Sequence, residues 1–208
     1  MPFLYSLAVS VAKAITPAVA TSAKAKAFVL GRKALWTQLE NIPPNKKVVW
    51  MHCASLGEYE QGLPVLTALK NKYPTYFYLV TFFSPSGYEI RKNYEVADVV
   101  CYLPLDSKKN AKQFLTVVHP SFAIFVKYEF WYYYLHTLKD RKIPSYLISA
   151  IFRPSQPFFR WYGGLFRQML DCFSLIFVQD ENSKHLLQTI NIKNTILAGD
   201  TRLDRVLD

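Results

Sequence analysis

From Lys46 onward, short apolar runs and helix-length segments take turns along the chain, a rhythm that suits βαβ units. The runs predict strands over residues 48–53, 76–82, 99–102, 122–126, 145–149, 175–178 and 195–198. Between them, helices are expected over 58–71, from about 85, and over 106–118, 129–141, 158–170 and 181–190. Each strand followed by a helix and then another strand implies right-handed crossovers, a parallel sheet and helices on both faces. The expected fold class is therefore α/β, a Rossmann-like parallel sheet. With 51% hydrophobic residues in 208, the chain has enough apolar side chain to fill such a core, which excludes disorder.

In an open parallel sheet, ligands collect outside the carboxyl ends of the strands, so the strand ends are the places to look for chemistry. The first ends at Ser55-Leu56-Gly57-Glu58, the second at Thr81-Phe82-Phe83-Ser84-Pro85-Ser86-Gly87, and the fourth at Lys127-Tyr128-Glu129-Phe130-Trp131. Ser55 and Ser84 suit helix caps, and Pro85 stands in the favoured first helical position. Gly57 leaves room for a molecule to approach the backbone, whereas Gly57 and Gly87 lack the spacing of a phosphate-binding loop. Glu58 and Glu129 would face one cleft with Ser55, Ser84, Ser86 and Lys127 nearby. A carboxylate pair in a cleft suits proton abstraction from a hydroxyl group, one acid acting as base while the other orients or holds charge. Taken singly, each acid also suits a plain helix start, with Glu129 paired to Lys127.

Three cysteines lie far apart inside or beside apolar runs and read as core residues of a protein in a reducing compartment. The four histidines are scattered, no pair of ligands has metal spacing, and no metal site is expected. A net charge of +10 calls for an anionic partner, namely nucleic acid, a membrane surface or a phosphorylated ligand. Nucleic acid is the weakest of these, since no zinc-finger, helix-turn-helix or RNP-like pattern occurs.

Residues 1–41 form an apolar and basic N-terminal segment, closed off by the breaker Ile42-Pro43-Pro44-Asn45, with the globular domain over 46–208. Positive charge follows the apolar run instead of preceding it, unlike a secretory signal, and Lys13 and Pro17 interrupt it too early for a simple spanning helix. A helix lying in the membrane interface, with lysines toward the headgroups, or an ordinary amphipathic helix packed on the domain both satisfy the pattern. After the fifth strand, Arg153 and Arg160 interleave with Phe152, Phe158, Phe159, Trp161 and Tyr162. That mixture suits either a surface gripping lipid phosphates or a core-facing helix with solvated arginines.

Five motifs, in order and spacing, resemble those of the 3-deoxy-D-manno-octulosonic acid (Kdo) transferases of lipopolysaccharide synthesis. They are Ser55-Leu56-Gly57-Glu58, Thr81 to Gly87, Tyr102-Leu103-Pro104-Leu105-Asp106, Glu129-Phe130-Trp131 and Gly199-Asp200-Thr201-Arg202-Leu203-Asp204. The resemblance runs from about Lys46 to the end. It implies the N-terminal, acceptor-binding half of a GT-B glycosyltransferase, preceded by a membrane-associated helix, with the C-terminal nucleotide-sugar-binding domain absent from this chain. It further implies inverting transfer of Kdo from CMP-Kdo, bound mainly by that absent domain, to a lipid A precursor, without cofactor or metal, at the cytoplasmic face of the bacterial inner membrane. This half alone is expected to be inactive.

Carried over residue by residue, Glu58 matches the family's catalytic base and Glu129 the second acid of its Glu-Thr-Glu-Leu-Trp-Pro pattern. Arg202 takes the place of the lysine that stabilises developing negative charge. Position at a helix N-terminus leads to the expectation that Glu58 is held ionised and is a weak base. The sequence departs from the family at Lys127, where the pattern has an acid, and at Tyr132 and Tyr133 after the tryptophan. It departs again at Ser149-Ala150-Ile151-Phe152-Arg153, where the family reads Asn-Ala-Arg-Leu-Ser and the arginine has moved. Two further readings stay open: a noncatalytic lipid-binding or membrane-docking module, and another GT-B sugar enzyme such as a lipid A disaccharide synthase relative. The oligomeric state is not legible from the sequence.

Overall fold

The computed structural model describes residues 23–32, 35–93 and 96–200, together with Tyr5, Ser6 and Val9. The described part of the N-terminal segment holds helices α1 (Ala23–Gly31) and α2 (Leu35–Leu39). No helix among the described residues is long and apolar enough to cross a membrane.

Strands β1 (Val48–Cys53) and β2 (Phe77–Phe82) are buried at every position. They read as continuous apolar runs because both faces of a parallel sheet are covered. With β3 (Val99–Tyr102), β4 (Pro120–Val126), β5 (Ser145–Ala150), β6 (Leu175–Val178) and β7 (Thr195–Leu197), they form one sheet in the order β3-β2-β1-β4-β5-β6-β7. All six pairings are parallel. The Rossmann-like sheet read from the sequence is thus the fold, and all seven strands are in place to within two residues.

On one face, helices α3 (Leu56–Lys72) and α4 (Pro85–Arg91) cover the sheet, and Tyr59, Leu63 and Leu66 of α3 pack over Val49, Met51, Tyr78 and Val80. On the other, α5 (Lys108–Val118), α6 (Tyr132–Asp140), α7 (Gly164–Leu170) and α8 (Glu181–Thr189) bury Phe114, Tyr134, Leu138, Met169 and Leu187 against Trp50, Leu79, Phe125 and Ile176. Each such side chain contributes roughly 1.5–3 kcal/mol by leaving water. Cys53, Cys101 and Cys172 are free and buried, as small core residues. An apolar hollow of about 490 Å³, lined by Val65, Leu69, Phe122, Ile148, Phe177 and Gly199 among others, lies on the α3 side and includes neither Glu58 nor Glu129.

Helices α5 and α6 both start later than the sequence suggests, and one residue explains the two. Asp106 does not open α5; Ser107 caps it, accepting from the Asn110 amide at 3.2 Å. The buried Asp106 carboxylate instead accepts the amides of Tyr133 and Tyr134 at 3.1 and 3.2 Å, capping α6 from outside its own sequence. The α6 helix therefore begins at Tyr132 and leaves Glu129 in the preceding loop. Tyr5 donates to the same carboxylate at 2.5 Å, and Ser6 bonds Tyr133, which ties this part of the N-terminal segment to the domain.

The helix expected over 158–170 is interrupted. Pro157–Phe159 make one 3-10 turn, Arg160 is extended, and α7 starts only at Gly164. The loop closes so tightly on itself that a Cβ at Gly163 would sit 2.1 Å from the Pro157 carbonyl oxygen. Only glycine fits there.

Arg32 fastens the end of α1 to the sheet edge. Its guanidinium donates to the carbonyls of Phe28, Phe83 and Leu103 at 3.0, 2.9 and 3.1 Å and lies 3.6 Å over the Phe28 ring.

Candidate functional site

The strand order reverses between β1 and β4. The chain leaves β1 into α3 on one face and leaves β4 toward α6 on the other, so a crevice opens between their carboxyl ends. Ser55, Gly57 and Glu58 stand on the β1 side of it and Lys127 and Glu129 on the β4 side.

Glu58 is half-buried in the first turn of α3. Its Oε2 accepts from the Ser55 amide at 2.8 Å and from the Ser55 hydroxyl at 3.1 Å. The serine hydroxyl is thus turned toward the carboxylate, and the glutamate supplies the reciprocal half of a capping box. Burial raises the pKa of Glu58 above the ordinary value, and the nearby Glu129 charge adds to it, against the Ser55 bonds and His52. This corrects the expectation from helix position: desolvation and a like charge outweigh the helix end, and the carboxylate is a stronger base than an exposed glutamate. A Cβ added at Gly57 would meet nothing within 4 Å, so the backbone beside Glu58 is open.

Glu129 is only 5% exposed. It is not a helix-start acid paired with Lys127: its Oε2 accepts from the Trp131 indole at 2.6 Å and lies 3.0 Å from Nε2 of His52. His52, at the end of β1, is fully buried. The β1–β2 register sets it beside Thr81, whose hydroxyl is 2.8 Å from Nδ1 and also accepts from the Trp50 indole at 2.8 Å. Sequence reasoning gives His52 no role, and Thr81 and Trp131 stand in the quoted motifs without one. The available signal was a lone polar pair, His52 and Thr81, near the ends of two otherwise apolar strands.

Ser84, Ser86 and Gly87 start α4 next to the same crevice. The Ser84 hydroxyl accepts from the Ser86 amide at 3.3 Å. At Gly87, a Cβ would lie 2.3 Å from the Phe82 ring and 3.1 Å from the Leu56 amide nitrogen, so this glycine lets the starts of α3 and α4 come together. Phe83 packs on Trp131, with ring centroids 4.9 Å apart, closing that side.

Lys127 is half-buried with a left-handed backbone, φ 66°. Arg153 and Arg160 are exposed in the loop after β5, beyond the two carboxylates along the sheet edge. Arg153 acts on Tyr128, opposing the rise that burial gives its phenol. Arg202 lies outside the described residues. Among the described residues, no group of three His, Cys, Asp or Glu side chains could hold a metal ion.

The chain is 27% identical over 165 residues to a 3-deoxy-D-manno-octulosonic acid transferase of Aquifex aeolicus, which covers 78% of this chain and 42% of the relative. It is 30% identical over 144 residues to the same-named protein of Haemophilus influenzae, covering 67% and 33%. The chain thus spans less than half the length of these relatives. Among solved structures, a UDP-N-acetylglucosamine 2-epimerase superposes with TM-score 0.59 at 16% identity, over 78% of this chain and 51% of the other. The Neisseria meningitidis UDP-GlcNAc 2-epimerase gives 0.56 at 20% identity, over 77% and 48%. At such identities the likeness is one of fold. Residues 29–205, nearly the whole chain and every described site residue, match the description "3-Deoxy-D-manno-octulosonic-acid transferase (kdotransferase)", and the chain belongs to that family.

Proposed function

We propose that this chain forms the acceptor-binding half of an inverting glycosyltransferase that moves Kdo from CMP-Kdo to a hydroxyl of a lipid A precursor. The observation that carries the reading is the carboxylate pair at the switch point, with Glu58 half-buried, made more basic by its surroundings and bordered by open backbone at Gly57. Glu58 takes the proton of the acceptor hydroxyl. The hydroxyl oxygen forms the new bond at the anomeric carbon from the face opposite CMP, and CMP leaves with the electrons of the broken bond. Arg202 would stabilise charge developing on the donor side. Exposed Arg153 and Arg160, beside Trp161 at 92% exposure, suit the phosphates of the acceptor or of an anionic membrane. The reading places the protein at the cytoplasmic face of the inner membrane.

Titration of the 208-residue chain separates the two substrates. Binding of the lipid A precursor, weakened by Arg153→Ala, and little binding of CMP-Kdo are expected. Tight CMP-Kdo binding with no acceptor binding would overturn this division of labour.

A further inference from the structure

In the buried cluster behind Glu129, the Thr81 hydroxyl decides where the His52 proton sits. An indole N–H can only donate, so Trp50 occupies a lone pair of the Thr81 hydroxyl, which has no other described partner except His52 Nδ1. The Thr81 proton is satisfied only if it is given to Nδ1. Were Nδ1 protonated instead, donating to the Thr81 carbonyl at 3.1 Å, the hydroxyl proton would be buried without an acceptor. The imidazole proton then resides on Nε2, which faces Glu129 Oε2 at 3.0 Å. That contact lies off the line of a well-formed hydrogen bond, and Nε2 has no hydrogen-bond partner elsewhere. Glu129 Oε2 thus accepts a hydrogen bond from the Trp131 N–H and has the His52 Nε2–H beside it as an electrostatic contact, and Oε1 has no hydrogen bond among the described residues.

We propose that His52 is a positioning residue. Held by Thr81 and Trp50 as the Nε2–H tautomer, it fixes the Glu129 carboxylate at the switch point so that its charge bears on Glu58 while Glu129 itself stays out of the proton transfer. The inference deepens the transferase reading and rests on it for its functional meaning. Its physical content, a tautomer and a charge placed beside Glu58, does not depend on that reading. Neither oxidation nor transfer of a group is involved. The proton on Nε2 stays there.

Nuclear magnetic resonance on the 208-residue chain tests both parts. Nitrogen-proton correlation of the His52 ring should show the Nε2–H tautomer, and Thr81→Val, which removes the hydroxyl, should turn it to Nδ1–H. Carbon-detected titration of Glu58 should give a midpoint above that of an exposed glutamate. His52→Leu should move it down, because the Glu129 charge that loses its place raises Glu58 more than His52 lowers it, whereas His52→Gln, whose amide can still donate toward Glu129, should restore most of it. A merely structural histidine would lower the melting temperature of His52→Leu and leave the Glu58 midpoint where it was. That result, or an Nδ1–H tautomer in the unaltered chain, overturns the proposal. If His52→Leu does not fold, Thr81→Val and His52→Gln carry the same comparison. Acceptor or donor binding that contradicts the transferase reading leaves these spectra unchanged, so the two failures are distinguishable.

Discussion

Nε2 of His52, at the end of β1, stands 3.0 Å from Oε2 of Glu129, in the loop after β4, and ties together the two strands between which the sheet reverses its order. The carboxylate that also suited a plain helix start is therefore a buried part of the crevice wall, and Glu58, on the other wall, feels its charge.

Glu58→Gln should abolish most transfer by the full-length enzyme, by about 10²–10⁴-fold in kcat, the usual worth of a positioned base. The amide oxygen can still accept from the Ser55 N–H, so the melting temperature should hold. Steady-state kinetics beside thermal unfolding checks the pair of outcomes, and unaltered transfer would remove Glu58 from the mechanism.

The acidic limb of the kcat/KM profile should lie above the ordinary glutamate range, because burial and Glu129 favour the protonated form of Glu58. Glu129→Gln removes the like charge and should shift that limb to lower pH. A limb that stays in place, or moves upward, would show that Glu129 does not act on the base.

Two glycines beside the crevice should behave oppositely. Gly87→Ala pushes a methyl group into the Phe82 ring and toward the Leu56 amide, and about 1–3 kcal/mol of stability should be lost. Gly57→Ala places its methyl in open space within a helix, so stability should hold or rise by up to about 1 kcal/mol. Denaturant unfolding measures both. Weakened acceptor binding by Gly57→Ala at unchanged stability would then report a ligand passing over that backbone.

Asp106 provides a test in pH. Burial pushes its carboxyl from the ordinary 3.8 up to about 6, despite the hydrogen bonds from Tyr5, Tyr133 and Tyr134 that favour the charged form. The folded state holds the proton more tightly than the unfolded one. Its contribution is fully present below about pH 3.8, fades as the pH climbs and is lost above about 6. At about 1.4 kcal/mol per pKa unit, this amounts to a few kcal/mol. In Asp106→Asn the decline of stability between those two pH values should flatten, as read from urea midpoints across the range.

Arg32→Lys should loosen α1, because an ammonium group cannot serve three carbonyls and lie flat on the Phe28 ring at once. Faster hydrogen exchange over residues 23–32, with β1 and β2 unchanged, is the expected result.

The sheet was legible because strands buried on both faces leave uninterrupted apolar runs, as in Val48 to Cys53 and Leu175 to Val178. Glu58 was legible too, since its strand, turn and helix are contiguous. What escaped was decided between distant segments. Asp106 stands directly before Ser107 and looked like the start of its own helix, yet its acceptors serve α6. Glu129 had Lys127 two residues away, whereas its partner comes from β1. Helix position alone suggested a readily ionised Glu58, and the opposing burial depends on packing that no local pattern records. The aromatic and arginine pattern after β5 ran through Gly163 as if the helix were continuous, because a close approach of backbone to backbone leaves no periodic trace.

Asp106 carries one further consequence, for the order of assembly. Trp131, at the N-cap position of α6, makes no capping bond with its own side chain, so this helix completes its first turn only when the segment after β3 has arrived. Both halves of the sheet, on either side of the reversal, are thereby recruited into one cooperative unit. Opening either half exposes the crevice wall that the other supports.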